Sequence, residues 1–236
     1  MTIKKALAIA LLFSATAVFA QSTSGLSSNV AVINRTVPSG WSLTSLPVIP
    51  ASTAIGQVMA ENNGTGNQLN GGTSATTSDQ VWNENGQFGW YYSGTPGSGW
   101  YGSLSQVSNN EGYWIYNRSV SSRNVLLIGT VPTTSQTQNV PGGNTWSLVG
   151  VPFPKNFNLS DATNGLVASG FAGGGTANTS SQIWDDQGHF AWYYNGSLGG
   201  SAAWFGSLTQ LQEGHAYFIL NRGATFIWTV NPPTSY

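Results

Sequence analysis

Ser78-Asp79-Gln80-Val81-Trp82-Asn83-Glu84-Asn85-Gly86-Gln87-Phe88-Gly89-Trp90-Tyr91-Tyr92-Ser93-Gly94 returns downstream as Ser180-Ser181-Gln182-Ile183-Trp184-Asp185-Asp186-Gln187-Gly188-His189-Phe190-Ala191-Trp192-Tyr193-Tyr194-Asn195-Gly196. The two copies align without a gap at an offset of 102 residues (182 − 80). Each reads as a β-hairpin. Val81-Trp82 and Ile183-Trp184 end a first strand, and Phe88 to Tyr92 and Phe190 to Tyr194 form the return strand. Asn83 to Gly86 and Asp185 to Gly188 supply the turn, with Gly at the position that needs a positive φ. Strand alternation puts Phe88, Trp90 and Tyr92 on one face and Tyr91 on the other. The expectation is that the first set holds the core and that Tyr91, Tyr193 and the turn residues stay free.

Working outward, other segments fall into pairs. Trp41-Ser42-Leu43-Thr44-Ser45-Leu46-Pro47 matches Trp146-Ser147-Leu148-Val149-Gly150-Val151-Pro152. Both alternate like half-buried strands, which places Trp41 and Trp146 in the core with Leu43 and Leu148. Thr53 to Glu61 and Leu159 to Leu166 each predict one short helix, the second capped by Ser160 or Asp161. Trp100-Tyr101-Gly102-Ser103-Leu104 matches Trp204-Phe205-Gly206-Ser207-Leu208. Glu111-Gly112 pairs with Glu213-Gly214, which makes two extra residues follow the second Gly. Arg118 and Arg222 close the strands that follow.

The fold class is therefore all-β: two tandem homologous small barrel or sandwich modules, each with at most one short helix. Residues 37–135 form the first module and 136–236 the second. Residues 21–36 form an N-terminal segment, and 1–20 read as a secretory signal peptide. Lys4 and Lys5, an apolar run from Ala6 to Phe13, and Val18-Phe19-Ala20 carry that last reading, in a style that suggests a bacterium. Apolar strands at Val30 to Ile33, Val125 to Ile128 and Phe226 to Val230 leave one strand over. Val30, Val32 and Ile33 either pair within the chain or offer an exchange strand to another copy.

At this level the chain resembles a repeat of bacterial and archaeal secreted and cell-surface proteins. Gly40-Trp41-x-Leu43-x-x-Leu46-Pro47 and the downstream Gly112-Tyr113-Trp114-Ile115 carry the likeness. It covers nearly all of residues 37–131 and the second half less cleanly, because Gly214-His215-Ala216-Tyr217-Phe218-Ile219 departs from the second mark. The resemblance implies an extracellular or cell-surface setting and brings no catalytic residues.

Composition narrows the function. Only 6% of residues are charged, against roughly 25% in ordinary soluble domains. Without Lys4 and Lys5, five basic residues face eight acidic ones, a net charge of −3. Such a chain makes no nucleic-acid surface, which takes clustered Lys and Arg. No apolar run is long enough to span a bilayer as a helix. The sequence has no cysteine, so burial must supply the stability that disulfides give many exported proteins.

Motifs for chemistry are missing. His189 and His215 lack metal-ligand spacing, and Asn83, Glu84, Asp185 and Asp186 read as turn residues before they read as a calcium site. Glu111 and Glu213 have no second carboxylate beside them, so an acid–base pair is not expected. No metal, no cofactor and no catalytic residue is assigned, and the chain reads as a non-enzyme.

The ligand or interface candidates are Tyr91, Tyr193, Trp100 and Trp204, with Asn83, Glu84, Asp185 and Asp186 in the turns. The assembly-strand candidates are Val30, Val32 and Ile33. The leading expectation is a secreted structural subunit that assembles with itself into a surface layer, fibre or matrix. The alternative is a lectin-like protein that binds polysaccharide on the aromatics of the paired hairpins.

Overall fold

The computed structural model of the protein describes residues 29–60, 69–95 and 97–234. The signal peptide, most of the N-terminal segment and Glu61 lie outside the described residues. The first half contains β1 (Val30–Val37), β2 (Gly40–Ser45), β3 (Gln80–Trp82), β4 (Phe88–Tyr92), β5 (Gly99–Gly102), β6 (Gly112–Asn117) and β7 (Arg123–Thr130). The second contains β8 (Gln136–Val140), β9 (Thr145–Gly150), β10 (Phe157–Asn158), β11 (Gln182–Trp184), β12 (Phe190–Tyr194), β13 (Ala203–Gly206), β14 (Gln210–Leu211), β15 (Ala216–Asn221) and β16 (Phe226–Val230).

Two antiparallel five-stranded sheets share one topology. Their orders are β2-β6-β3-β4-β5 and β9-β15-β11-β12-β13. Neither closes into a barrel. Instead a two-stranded ribbon packs over one face of each sheet, β1–β7 over the first and β8–β16 over the second. The first core joins Val37, Val125 and Leu127 of the ribbon to Val81 and Ile115 of the sheet. The second joins Val140, Phe226 and Trp228 to Ile183 and Ile219. A sheet with one apolar face must cover it, and the ribbon does so.

The N-terminal strand is not spare. Every residue of β1 pairs with β7, from Val30 opposite Thr130 to Val37 opposite Arg123. Ile33 turns inward onto the core, while Val30 and Val32 face outward. The equivalent of β1 in the other half is β8, which pairs with β16. Val37 and Val140 each lend a carbonyl to a buried Asn side chain, that of Asn117 at 3.1 Å and that of Asn221 at 3.3 Å. Val125 to Ile128 therefore closes the first half and does not open the second. The strand that opens the second, Gln136-Thr137-Gln138-Asn139-Val140, is polar along most of its length, so apolar content gave no sign of it.

The extra residues of the second half also move. The hairpins keep the offset of 102, but β6 aligns on β15 at 104, with Gly112 opposite Ala216 and Tyr113 opposite Tyr217 in equivalent pairings to β2 and β9. The two additional residues thus lie in the loop between β12 and β13. Position 111 then corresponds to His215, and Asn110 to Gly214, both with φ of 71°. Glu111 and Glu213 are not equivalent.

The first helix is a single π-helical turn, Gly56–Ala60, that buries Val58 and Met59 beside Ile55. The second, α1 (Leu166–Ser169), begins where the sequence placed its end. Asp161 does not cap it. Its Oδ1 accepts the N–H groups of Thr163 and Asn164 at 2.8 Å each, an Asx turn that competes with helix.

Truncating Ile115, which is fully buried, to Ala should cost about 2–5 kcal/mol in urea unfolding. A chain starting after Asn34 loses five residues of β1 and should lose cooperative thermal unfolding, because the edge of β7 and the underlying core would be uncovered.

Candidate functional site: the aromatic faces and the seam between the halves

The face assignment of the hairpins is the reverse of what alternation alone suggested. The core side of β4 and β12 carries Gly89 and Tyr91, and Ala191 and Tyr193. A Cβ on Gly89 would lie 2.9 Å from Ile55 and 3.2 Å from Trp100, so the core reaches right up to this strand. Tyr193 and Trp204 pack against the second core and Trp100 against the first. Tyr91 lies 6.1 Å from Trp100 between ring centres. These four candidates line the inner face and are not an exposed platform.

The outer faces hold the remaining rings. In the first sheet, register places Trp41, Tyr116, Gln80, Trp90 and Tyr101 in one row across all five strands. Trp114, Trp82 and Phe88 form the adjacent row. Trp41 stacks on Tyr116 at 4.6 Å, and Trp82 on Phe88 at 4.5 Å. The second sheet repeats the plan with Trp146, Leu220, Gln182, Trp192 and Phe205. There Trp184 stacks on Phe190 at 4.6 Å and Trp192 on Phe205 at 5.2 Å. In each row a buried Gln replaces a ring. Gln80 accepts from Trp82 Nε1 at 3.0 Å and donates to the Ala75 carbonyl at 2.6 Å. Gln182 does the same with Trp184 and Ala177. These glutamines fix the indole orientation of the neighbouring row.

Trp41 and Trp146, expected in the core, are 49% and 48% exposed, and Tyr101 and Phe205 are 54% and 49% exposed. Half-exposed rings held by their neighbours present flat apolar surface to the outside. The sequence grouped Trp41 and Trp146 with Leu43 and Leu148, whose burial is at the seam, and favoured Trp100 and Trp204 over their neighbours Tyr101 and Phe205. The available sign was the aliphatic set: Val81, Ile183, Ile115 and Ile219 all point the other way and are fully buried.

The turn residues are also engaged, within the chain. Glu84 Oε1 accepts the N–H of Leu148 at 3.0 Å, and Asp186 Oδ2 accepts the N–H of Leu43 at 2.7 Å. Each half thus caps the open edge of the other's first sheet strand. Ser45 N–H adds a bond to the Gly214 carbonyl at 3.0 Å, and Glu111 bridges to Val149. Leu43, Leu148 and Ala216 form a small core there, flanked by Trp114 and Phe218 at 4.9 Å. The backbones come so close that a Cβ on Gly150 would sit 2.5 Å from the Glu111 carbonyl. Asn83 and Asp185 serve their own turns: Asn83 Oδ1 accepts from Asn85 and Gln87, and Asp185 Oδ1 from Gln187 and His189. Among the described residues Arg118 and Arg222 have no ion-pair partner; each donates to a backbone carbonyl, of Ser78 and Ser180.

Charge at the seam is perturbed by burial. Arg35 donates to the Leu43 carbonyl at 2.9 Å and lies 4.0 Å from Asp186. Burial lowers its pKa, and Asp186 opposes that. His215 is held down to about 4, chiefly by burial and then by the charge of Arg35. Burial raises the Glu84 carboxyl, against the Leu148 N–H bond that lowers it. Among the described residues no three His, Cys, Asp or Glu side chains gather as a metal site.

His215 is neutral when folded and takes a proton more readily when unfolded. The unfolded chain therefore binds more protons between pH 6.5 and 4, and stability falls as pH drops through that window. His215→Gln should flatten this part of the melting-temperature profile relative to wild type, measured by calorimetry. Glu84→Ala should cost about 1–3 kcal/mol by leaving the Leu148 N–H unpaired, whereas Glu84→Gln keeps an acceptor and should cost less.

No family model, no curated protein and no solved structure matches the chain.

Proposed function

We propose that this is a secreted, non-catalytic binding protein that holds polysaccharide chains on the outer aromatic faces of its two sheets. The observation that supports it most is the half-exposure of Trp41, Tyr101, Trp146 and Phe205 on faces otherwise filled with rings. A sugar ring offers an apolar C–H face, and a flat aromatic offers a complementary one of negative potential. Rings already packed against each other lose little side-chain freedom on binding, so less of the contact energy goes into ordering them. Two faces on one chain would add avidity for a polymer. The non-catalytic part of the reading is supported by the employment of Glu84 on Leu148 and of Glu111 on the Tyr113 hydroxyl at 2.6 Å.

Self-assembly is the second reading. The 6% charge content favours it, since weakly charged surfaces repel one another little. So does the position of β5 and β13 at the outer ends of their sheets. The exchange-strand route to assembly loses its support, because Val30, Val32 and Ile33 belong to a strand paired within the chain.

Affinity electrophoresis through gels containing soluble glucans, xylans and chitin derivatives tests the proposal, with light scattering on the same samples. Combining Trp41→Ala, Tyr101→Ala, Trp146→Ala and Phe205→Ala should abolish retardation while the chain stays folded. Unchanged retardation, or none with the wild type, would sink the glycan reading. Large particles that disappear in the same variant would establish assembly through these faces instead. Tyr91→Ala and Tyr193→Ala should instead lower the melting temperature, since both rings lie on the core side of their sheets.

A further inference from the structure

The seam is symmetric in plan and asymmetric in charge. A cleft of about 400 Å³ opens beside β9, lined by Glu84, Glu111, Asn83, Asn85 and Gln106 among other polar residues. Among the described residues no Lys, Arg or His lines it. Its counterpart beside β2 is built from Asp186, His215 and Leu43, at the positions of Glu84, Glu111 and Leu148. That counterpart is served from inside by Arg35. Its guanidinium donates to the Leu43 and Thr36 carbonyls at 2.9 and 2.7 Å and lies 4.0 Å from Asp186.

Gln138 occupies the position of Arg35 in the other half, two residues before Val140 as Arg35 is two before Val37. It does not reach Glu84. Its amide folds back onto β9, accepting from Gly150 N–H at 2.9 Å and donating to the Gly150 carbonyl at 2.7 Å. One side of the seam therefore has two carboxylates, Asp185 and Asp186, with a guanidinium among them. The other has two carboxylates, Glu84 and Glu111, and a hollow. In an antiparallel strand the N–H and C=O of one residue point to the same side. The Leu148 carbonyl thus shares the edge on which Glu84 takes the Leu148 N–H, as the Leu43 carbonyl shares the edge that Asp186 caps.

We propose that this cleft is a binding site for a guanidinium group, such as an arginine side chain of a peptide or protein. In the other half Arg35 donates to backbone carbonyls with the Asp186 carboxylate 4.0 Å away, and a planar guanidinium carries enough donors to serve a carbonyl and a nearby carboxylate together. Both sides carry two carboxylates, but Arg35 offsets one charge on its side, so the cleft with Glu84 and Glu111 is the more negative. A divalent cation is less well served, because it asks for more oxygen ligands in a tight shell than two carboxylates provide. The proposal is independent of the aromatic faces, whose residues do not line this cleft.

Titration of the whole chain with N-acetyl-arginine amide, followed by calorimetry and by NMR, tests it. Saturable binding at millimolar concentration is expected, with N-acetyl-lysine amide weaker and calcium chloride at matched ionic strength without effect. Glu84→Gln should weaken the arginine derivative about tenfold, the scale of one charge-assisted hydrogen bond, while keeping an acceptor for Leu148. Gln138→Arg should fill the cleft from inside, abolish binding and raise the melting temperature. Absence of saturable binding by the wild type, binding unaffected by Glu84→Gln in a folded chain, or preference for calcium would each overturn the assignment.

Discussion

A β-sheet that stops must do something with the N–H and C=O groups of its last strand. In this protein β2 and β9 end their sheets, and each is sealed by the opposite half. A carboxylate from the far hairpin turn accepts the N–H of Leu43 or Leu148. The rest of the arrangement depends on this exchange. It brings the turns of β3–β4 and β11–β12 into the seam, and it sets Trp114 against Phe218. It also requires glycine at positions 112 and 150, where the backbones and Leu148 approach too closely for a side chain. An unsealed strand of this length would be a template for aggregation. With so few charged residues available, the chain places two of its carboxylates where they close an edge.

Sealing the inner edges leaves the sheets with two unequal faces. The inner face carries the buried aliphatic residues together with Tyr91, Trp100, Tyr193 and Trp204, and a ribbon covers it. The outer face is aromatic, and its rings cover one another edge-on and face-on instead of being covered by another layer. Trp82, Phe88, Trp184 and Phe190 pair off locally, and the two buried glutamines set the direction of the indoles. The outer surface is thus rigid and apolar without being part of the core. That combination connects the packing to the proposed function, since a binding face of this kind is already ordered before a ligand arrives.

Much of this was legible in the sequence, and its limits were physical. The hairpins, their turns and the all-β character followed from period-two alternation and Gly placement. Alternation says which residues share a face but not which face is inside. Phe88, Trp90 and Tyr92 were taken for core because they are large, yet Gly89 and Ala191 are small because the core presses on them. Trp41 and Trp146 were placed inside with Leu43 and Leu148, which share their face but are buried at the seam and not in the cores under the ribbons. Strand β8 was missed because its outward and seam-facing positions are polar. The roles of Glu84 and Asp186 could not be read at all, since a turn residue's partner, here Leu148 or Leu43, lies in another half of the chain. The offset change from 102 to 104 hid behind Glu-Gly at 111 and at 213, two dipeptides alike in letters and different in place.

The pairing of β1 with β7 has a kinetic side. Val30 meets Thr130, so the first ribbon cannot form until about a hundred residues of chain between them have been made and brought together, and loops of that length close slowly compared with a hairpin. The hairpin of β3 and β4 needs no such wait. During synthesis the first sheet can therefore assemble around its local turn while its apolar face is still uncovered, and the last residues of β7 complete it. The second half can begin only after that point, and its hairpin turn delivers Asp186 to an edge that already exists. The order of residues along the chain thus lets the seam set only after the first half, and leaves the β8–β16 ribbon to be completed last.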